Sequence, residues 1–162
     1  MKLLAVLVQH TDSKSEQQRL ICVGGGHSKE TDGCARPVAM VNDLGLTFGR
    51  ANEYNRNAVG SVNLAQWSRT PVWTADSGCV GNITRSSTGT LDHPRISEAG
   101  RRFLAELLLQ LTDKQLVDLF AAARFDSRTA ASDGGTAAPY VSDWVAAFQA
   151  KREAIASRRC DN

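Results

Sequence analysis

The sequence lacks several features that would assign it to a functional class at once. It has no dense run of lysine and arginine, and its formal net charge is only +2 over 162 residues, so we expect no nucleic-acid partner. No apolar stretch approaches the roughly 18 residues of a membrane-spanning helix. The glycines at 24–26 are not followed by Gly-Lys-Ser/Thr, which argues against a phosphate-binding loop there.

The first eight residues are almost all apolar, but they do not match a secretory signal peptide. The apolar run is shorter than the roughly 7–15 residues of an h-region, and no small-residue cleavage site follows it. A segment that is apolar on every side instead predicts a buried helix over residues 1–9. We interpret it as the end of a helix that begins upstream, in a longer protein.

The composition is that of an ordinary globular domain. Hydrophobic residues make up 42% of the chain and charged residues 22%, both near the average for soluble domains. A chain of 162 residues supports one domain with a single core. We therefore treat residues 1–162 as one domain.

Four cysteines allow three disulfide pairings, and spacing alone does not choose between them. Cys22 and Cys34 flank a glycine-rich turn, so they are candidates for a bridge across a hairpin, which would leave Cys79 for Cys160. Disulfides would favour an exported protein; unrelated thiols in a cytoplasmic protein are the alternative. A zinc site of Cys22, His27 and Cys34 is a distant third, because the paired Cys-x-x-Cys form is absent.

The chain divides into three segments by residue pattern. Residues 1–50 contain two short apolar, β-branched runs, 19–23 and 37–42, which predict a two-stranded hairpin. Residues 51–94 are loop-rich, with a short helix around 62–68 and tryptophans that we expect to anchor the loop on the core. So long a loop is expected to pack down and to serve a function.

Residues 95–162 are predicted to be helical. Ser97, Thr112 and Ser142 are expected to cap three successive helices, with a flexible connection at 127–139. Apolar residues recur at helical spacing and are expected to form the core: Phe103, Leu104, Leu107, Leu108 and Leu111, then Leu116, Val117, Leu119 and Phe120, then Trp144, Val145, Phe148 and Ile155. The Arg101-Arg102 pair is expected to be solvated. The predicted fold class is α+β, mostly helical, with one small β-hairpin near the N-terminus.

Two short motifs carry the candidate chemistry. The first is His10-Thr-Asp12-Ser-Lys14, with Gln17 five residues beyond the aspartate and a strand immediately after. The second is Asp43-Leu-Gly, at the end of the second predicted strand. Because a hairpin brings its outer ends together, Asp12 and Asp43 are expected to reach the same place. Gly45 is expected to let the backbone turn sharply there.

This order of motifs resembles the kinase fold, in which a His-x-Asp-x-Lys-x-x-Asn catalytic loop, a hairpin and an Asp-Phe-Gly motif follow one another. The wording Asp-Leu-Gly-x-Thr-Phe-Gly is also similar to unusual bacterial kinase-like proteins, distantly related to HipA-type and lipid-kinase-type folds. The resemblance covers residues 1–50 by motif. It implies a kinase C-lobe-like helical bundle for the whole chain.

The resemblance also implies a role for each motif residue. Asp12 would be the catalytic base, Lys14 a phosphate-facing lysine and His10 a packing residue of the loop. Asp43 would hold Mg²⁺, with Gln17 at the position of the usual metal-binding asparagine, although its side chain is one methylene longer. The cofactors would be Mg²⁺ and ATP.

The resemblance implies that half of the nucleotide site is missing. Neither a glycine-rich phosphate loop nor a strand-borne lysine precedes the catalytic-loop motif, so the expected partner is an N-lobe or other upstream domain. We therefore expect the isolated chain to be inactive, and the substrate stays unknown. The alternatives are a non-catalytic, disulfide-braced pseudokinase or interaction module and, less favoured, a small metal-binding domain.

Overall fold

The computed structural model describes residues 1–24, 27–28, 33–49, 62–75, 78–128 and 139–160. Within these ranges the fold is α+β, with six α-helices and four short strands. The helices are α1 (Lys2–Val8), α2 (Leu64–Arg69), α3 (Glu98–Leu109), α4 (Asp113–Ala122), α5 (Phe125–Arg128) and α6 (Val141–Ala156). The strands are β1 (Gln18–Cys22), β2 (His27–Ser28), β3 (Gly33–Cys34) and β4 (Pro37–Val41). Most of the predicted connection at 127–139 lies outside the described residues, and no described helix is long and apolar enough to cross a membrane.

The core is built around α6, which packs against α2, α3, α4 and α5. Trp144 of α6 is fully buried and stacks on Trp67 of α2, with ring centroids 5.4 Å apart. The indole N–H of Trp67 donates to the carbonyl of Leu7 at 2.8 Å, and that of Trp73 donates to Ala154 at 2.9 Å. Buried indoles need such partners, and these two bonds confirm the predicted anchoring of the loop-rich segment.

Two of the three predicted helix caps are confirmed. The Ser97 side chain accepts a hydrogen bond from the Gly100 N–H, and Thr112 caps α4 in the same way. Ser142 was the wrong choice for α6, whose N-cap is Tyr140. The Asp143 carboxylate accepts the Tyr140 N–H at 2.9 Å, so the helix starts one residue before the predicted cap.

The predicted core stripes of α3 and α4 are only partly correct. Phe103 and Leu107 of α3 are exposed, as are Val117 and Leu119 of α4. The face of α3 that is buried instead carries Arg101, Ala105 and Leu108, and α4 buries Leu116 and Phe120. The prediction counted every apolar residue at helical spacing, although one short helix buries only the face that meets its neighbours.

Arg101 is buried rather than solvated, which corrects the sequence prediction. It binds both carboxylate oxygens of Glu98, at 2.6 and 2.8 Å. Its remaining nitrogen donates to the carbonyls of Ile155 and Ala156 at the end of α6. The pair lowers the pKa of Glu98 to about 2, chiefly through the hydrogen bond from Arg101. Arg101 therefore joins the start of α3 to the C-terminus of α6, where a cation is favourable.

The predicted hairpin and both cysteine pairs are confirmed. β1 and β4 pair antiparallel, in a register that sets Gln18 opposite Val41. Cys22 and Cys34 form a disulfide with Cα atoms 5.7 Å apart, so the zinc alternative for these two cysteines is wrong. Cys79 and Cys160 form the second, with Cα atoms 5.3 Å apart. Two disulfides fit an exported protein.

Candidate functional site

Two loops, one following α1 and the other following β4, run side by side. The Thr11 N–H donates to the carbonyl of Leu46 at 3.3 Å, and the Phe48 N–H donates to that of Val8 at 2.6 Å. These long-range bonds pin the second motif against the first. The hairpin topology alone predicted that the two motifs meet at one end.

The base of the hairpin brings Gln17 next to the second motif. The Asn42 N–H donates to the carbonyl of Gln17 at 2.7 Å, which extends the β1–β4 pairing by one residue beyond the strands. Asp43 follows directly. Gln17 and Asp43 therefore flank the same end of the hairpin.

His10, in the first motif, is buried. Its side chain is only 3% exposed, and burial lowers the pKa of the imidazole. The Asp12 and Asp43 carboxylates both act in the opposite direction, as does a hydrogen bond with the Asp43 backbone. Both carboxylates therefore lie within electrostatic reach of one imidazole. The burial of His10 agrees with its predicted packing role.

The second ring nitrogen of His10 lies beside a small cavity. Nε2 is buried and has no hydrogen-bond partner among the described residues. His10 and Ser13 both line a cavity of about 30 Å³, which exceeds the roughly 10–15 Å³ of free volume that can hold one water molecule. A water there would satisfy the ring nitrogen.

The Asp12 carboxylate is held by three donors from its own chain. Ser86 Oγ donates to Oδ1 at 3.1 Å, Thr88 Oγ1 donates to the same oxygen, and Lys14 Nζ binds Oδ2 at 3.2 Å. Burial alone would raise the pKa of Asp12, but the hydrogen bonds from Thr88, Lys14 and Ser86 outweigh it and lower the pKa. Asp12 is therefore ionised at neutral pH.

Sequence reasoning missed Ser86 and Thr88, which come from the loop-rich segment. Backbone bonds fix this stretch against the first motif: the Ser86 N–H donates to Thr11 at 2.8 Å and the Thr90 N–H to Ser13 at 2.9 Å. At Gly89 an added Cβ would lie 2.2 Å from the Thr11 carbonyl oxygen, so only glycine fits. The run Ser-Ser-Thr-Gly-Thr in a loop predicted to be functional was the available signal.

Asp43 makes the sharp turn itself. Its φ is 53°, in the left-handed region, whereas Gly45 has no positive φ; the prediction that Gly45 supplies the turn is wrong. Aspartate tolerates this conformation better than most residues. Asp43 Oδ1 accepts the Gly45 N–H at 3.0 Å, and the residue as a whole is exposed.

Lys14 and Gln17 are tied to each other as well as to the site. Gln17 Oε1 accepts the backbone N–H of Lys14 at 3.0 Å, which caps the 3₁₀ turn at Ser15–Gln17. The predicted metal-binding oxygen of Gln17 is thus turned toward its own loop. One of its two lone pairs remains for a further ligand.

The oxygen ligands at the candidate site suit Mg²⁺ only when substrate phosphate completes its coordination. Among the described residues, no group of three or more His, Cys, Asp or Glu side chains could form a metal cage. Mg²⁺ commonly binds one or two carboxylates and completes its octahedron with waters and substrate phosphates. The exposed carboxylate of Asp43 fits that mode.

No protein-family description, no curated protein and no solved structure matches this chain. The functional interpretation therefore depends on the motifs and on the geometry described above.

Proposed function

We propose that this chain is the C-terminal lobe of an ATP-dependent kinase-like phosphotransferase. Asp12 acts as the base for the acceptor hydroxyl, Lys14 faces the transferred phosphate, and Asp43 binds Mg²⁺ with Gln17 beside it. The observation that carries the proposal is that the two motif-bearing loops, joined by backbone hydrogen bonds from Thr11 to Leu46 and from Phe48 to Val8, run side by side next to the buried His10. Phosphoryl transfer requires this combination of a carboxylate for the acceptor and another for the metal.

The contacts of Asp12 suit a base that receives a hydroxyl proton. The carboxylate is ionised, and the Thr88 hydroxyl already donates to it. An acceptor hydroxyl would approach in the same way, within hydrogen-bond reach of the oxygen that takes its proton. Lys14, which binds the other oxygen, keeps a positive charge beside the reacting group.

The surface next to the site supports the need for a second lobe. Leu20 is 78% exposed and Leu44 is 61% exposed, and Ile21 and Val38 of the hairpin are exposed as well. Ile21 and Val38 lie opposite each other in the β1–β4 register and share one face of the hairpin, whereas Leu20 lies on the other face. Exposed apolar residues on both faces of so small a sheet favour a covering element. We propose that the covering element is the nucleotide-gripping N-lobe, so the isolated chain transfers no phosphate.

Chemical-shift titration with Mg-ATP tests the site while allowing for weak binding. We expect shifts at the Gly45 and Lys14 amides that disappear in Asp43→Ala and persist in Glu106→Gln, an exposed carboxylate on α3. Calorimetry should show weak or undetectable heat, and no phosphate should be transferred. Absence of shifts at both amides would refute the metal site. Tight binding abolished by Asp43→Ala would refute the need for a second lobe.

A disulfide-braced pseudokinase or interaction module is the second candidate. It is favoured by one observation: both oxygens of Asp12 are already engaged by the chain itself. This candidate predicts that Mg-ATP leaves the Gly45 amide unshifted while the chain stays folded. Under either candidate we propose that the protein is exported, because the two disulfides favour an oxidising compartment, and that it is bacterial, as the resemblance to bacterial kinase-like proteins implies.

A further inference from the structure

Helix α3 presents a second apolar face that is separate from its buried one. Gly100, Phe103, Leu104 and Leu107 follow the i, i+3, i+4, i+7 spacing that aligns side chains along one side of a helix. Phe103 is 65% exposed and Leu107 is 46% exposed. The buried face of α3 carries Arg101, Ala105 and Leu108; of the second face, Leu104 packs against the core, whereas Phe103 and Leu107 are exposed.

Helix α1 covers only part of this second face. At the start of α1 the face opens into a groove of about 480 Å³, whose lining includes Leu4, Ile96, Phe103 and Leu107. The volume lies within the range of about 300–1,000 Å³ typical of binding sites. Among the described residues, every charged side chain that lines the groove is cationic, namely Lys2 and Arg95.

The α1–α3 contact indicates what kind of element the groove accepts. α1 is itself an apolar helix, with Leu3 and Leu7 buried, and it lies on α3. The groove is the uncovered continuation of this helix-on-helix interface. An amphipathic helix laid in a groove anchors itself through apolar residues at the same i, i+3, i+4, i+7 spacing.

We propose that this groove, between the start of α1 and the Phe103 face of α3, binds an amphipathic α-helix of a partner protein whose flanks are acidic. Leucine-like anchors fill the apolar floor, and carboxylates pair with Lys2 and Arg95 at the rim. A second copy of the chain is a poorer match, because a self-paired groove would bring two cationic rims together. This inference does not depend on phosphotransferase activity.

A pair of designed peptides tests the proposal on the whole oxidised chain. Each peptide is a fluorescein-labelled helix with leucines at i, i+3, i+4 and i+7; one has glutamate on both flanks and the other has lysine. Fluorescence anisotropy should show the acidic peptide binding at least about tenfold more tightly than the basic one. The double variant Lys2→Glu/Arg95→Glu should reverse that preference.

Two exposed apolar residues provide a matched pair of variants. Phe103→Glu should weaken binding of the acidic peptide by about tenfold or more, with an unchanged thermal melt. Leu119→Glu, on α4 and outside the groove, should change it less than about twofold. The proposal is overturned if neither peptide binds, if both bind equally, or if the two variants have equal effects. It is also overturned if sedimentation shows a dimer that Phe103→Glu dissolves, since the occupant would then be a second copy. Loss of peptide binding in a chain extended upstream of Met1 would overturn it too, since the helix that we expect to begin upstream would then fill the groove.

Discussion

The helices α2–α6, which we call the base, and the β1–β4 hairpin are stabilised by different interactions. In the base, aromatic rings from α2, α4, α5 and α6 contact one another, and Trp67 and Trp144 are fully buried. The hairpin buries almost nothing and depends on its backbone ladder and the Cys22–Cys34 bridge. The candidate site lies where the two regions meet. A well-packed base thus positions the loops, whereas the hairpin stays largely exposed.

Removing a buried aromatic side chain should strongly destabilise the helical base. Phe120 is 2% exposed and contacts four other aromatic rings. Phe120→Ala should lower the free energy of unfolding by about 3–5 kcal/mol, because it leaves a cavity. Phe103→Ala, which removes an exposed ring, should change it by no more than about 0.5 kcal/mol. Equal losses in urea melts would contradict the assignment of the core.

Removing each disulfide separately should sharpen the contrast between the regions. The Cys79–Cys160 bridge spans 81 residues and ties the base, whereas Cys22–Cys34 spans 12 in the hairpin. Cys79→Ala/Cys160→Ala should cost about 2–5 kcal/mol of global stability. Cys22→Ser/Cys34→Ser should leave the global melt unchanged and accelerate hydrogen exchange only in β1 and β4. A global loss from the hairpin variant would show that the two regions unfold together.

Local chemistry made some features of both regions predictable from the sequence. The glycine-rich turn between Cys22 and Cys34 and the side chains of Ser97 and Thr112 act on residues close in the chain, so the hairpin, its disulfide and two helix starts were found. That the loops after α1 and after β4 lie side by side followed from hairpin topology, and the convergence of the Asp12 and Asp43 carboxylates stays a prediction. That they act together in phosphoryl transfer is still a prediction.

The features that were missed depend on contacts between distant residues. Thr88 reaches Asp12 across 76 positions, and Arg101 reaches Ile155 across 54. Neither residue belongs to a local sequence pattern that predicts its partner. The exposure of Phe103 likewise depends on where α6 crosses α3. Tertiary packing decides such features, so residue spacing cannot supply them.

A buried lysine should make the stability of the helical base depend on pH in the alkaline range. Lys151 is 5% exposed, its ammonium donates to the Thr70 carbonyl, and burial lowers its pKa to about 8. The unfolded chain binds this proton up to about pH 10.4, so unfolding takes up a proton between about pH 8 and 10.4. Stability should therefore rise with pH in that window. Lys151→Met should flatten this rise in thermal melts, and an unchanged slope would refute the pKa assignment.

A smaller effect is expected at the junction of the two regions. Thr88→Ala removes one of the hydrogen bonds that lower the pKa of Asp12, so the pKa of Asp12 should rise toward its ordinary value. Because its pKa is lowered, ionised Asp12 stabilises the folded state, and this stabilisation is lost as pH falls through the folded-state pKa. The variant has less of this stabilisation to lose, so the stability contributed by Asp12 should fall less on acidification. Carboxyl-carbon NMR titration measures the shift, and Thr90→Ala serves as the control because its hydroxyl donates to Ser13 instead.

The distance between the two acidic groups tests the proposed site most directly. In place of the proposed Mg-ATP, Mn-ATP should bind at Asp43, and the unpaired electrons of Mn²⁺ broaden the signals of nearby nuclei. With the aspartate carboxyls labelled with carbon-13, we predict strong broadening of Asp12, which corresponds to a separation within about 10 Å, a span that one or two metal ions bridge. The broadening should vanish in Asp43→Asn and persist in Asp118→Asn. An unbroadened Asp12 signal while Asp43 binds Mn²⁺ would contradict a shared phosphotransferase site.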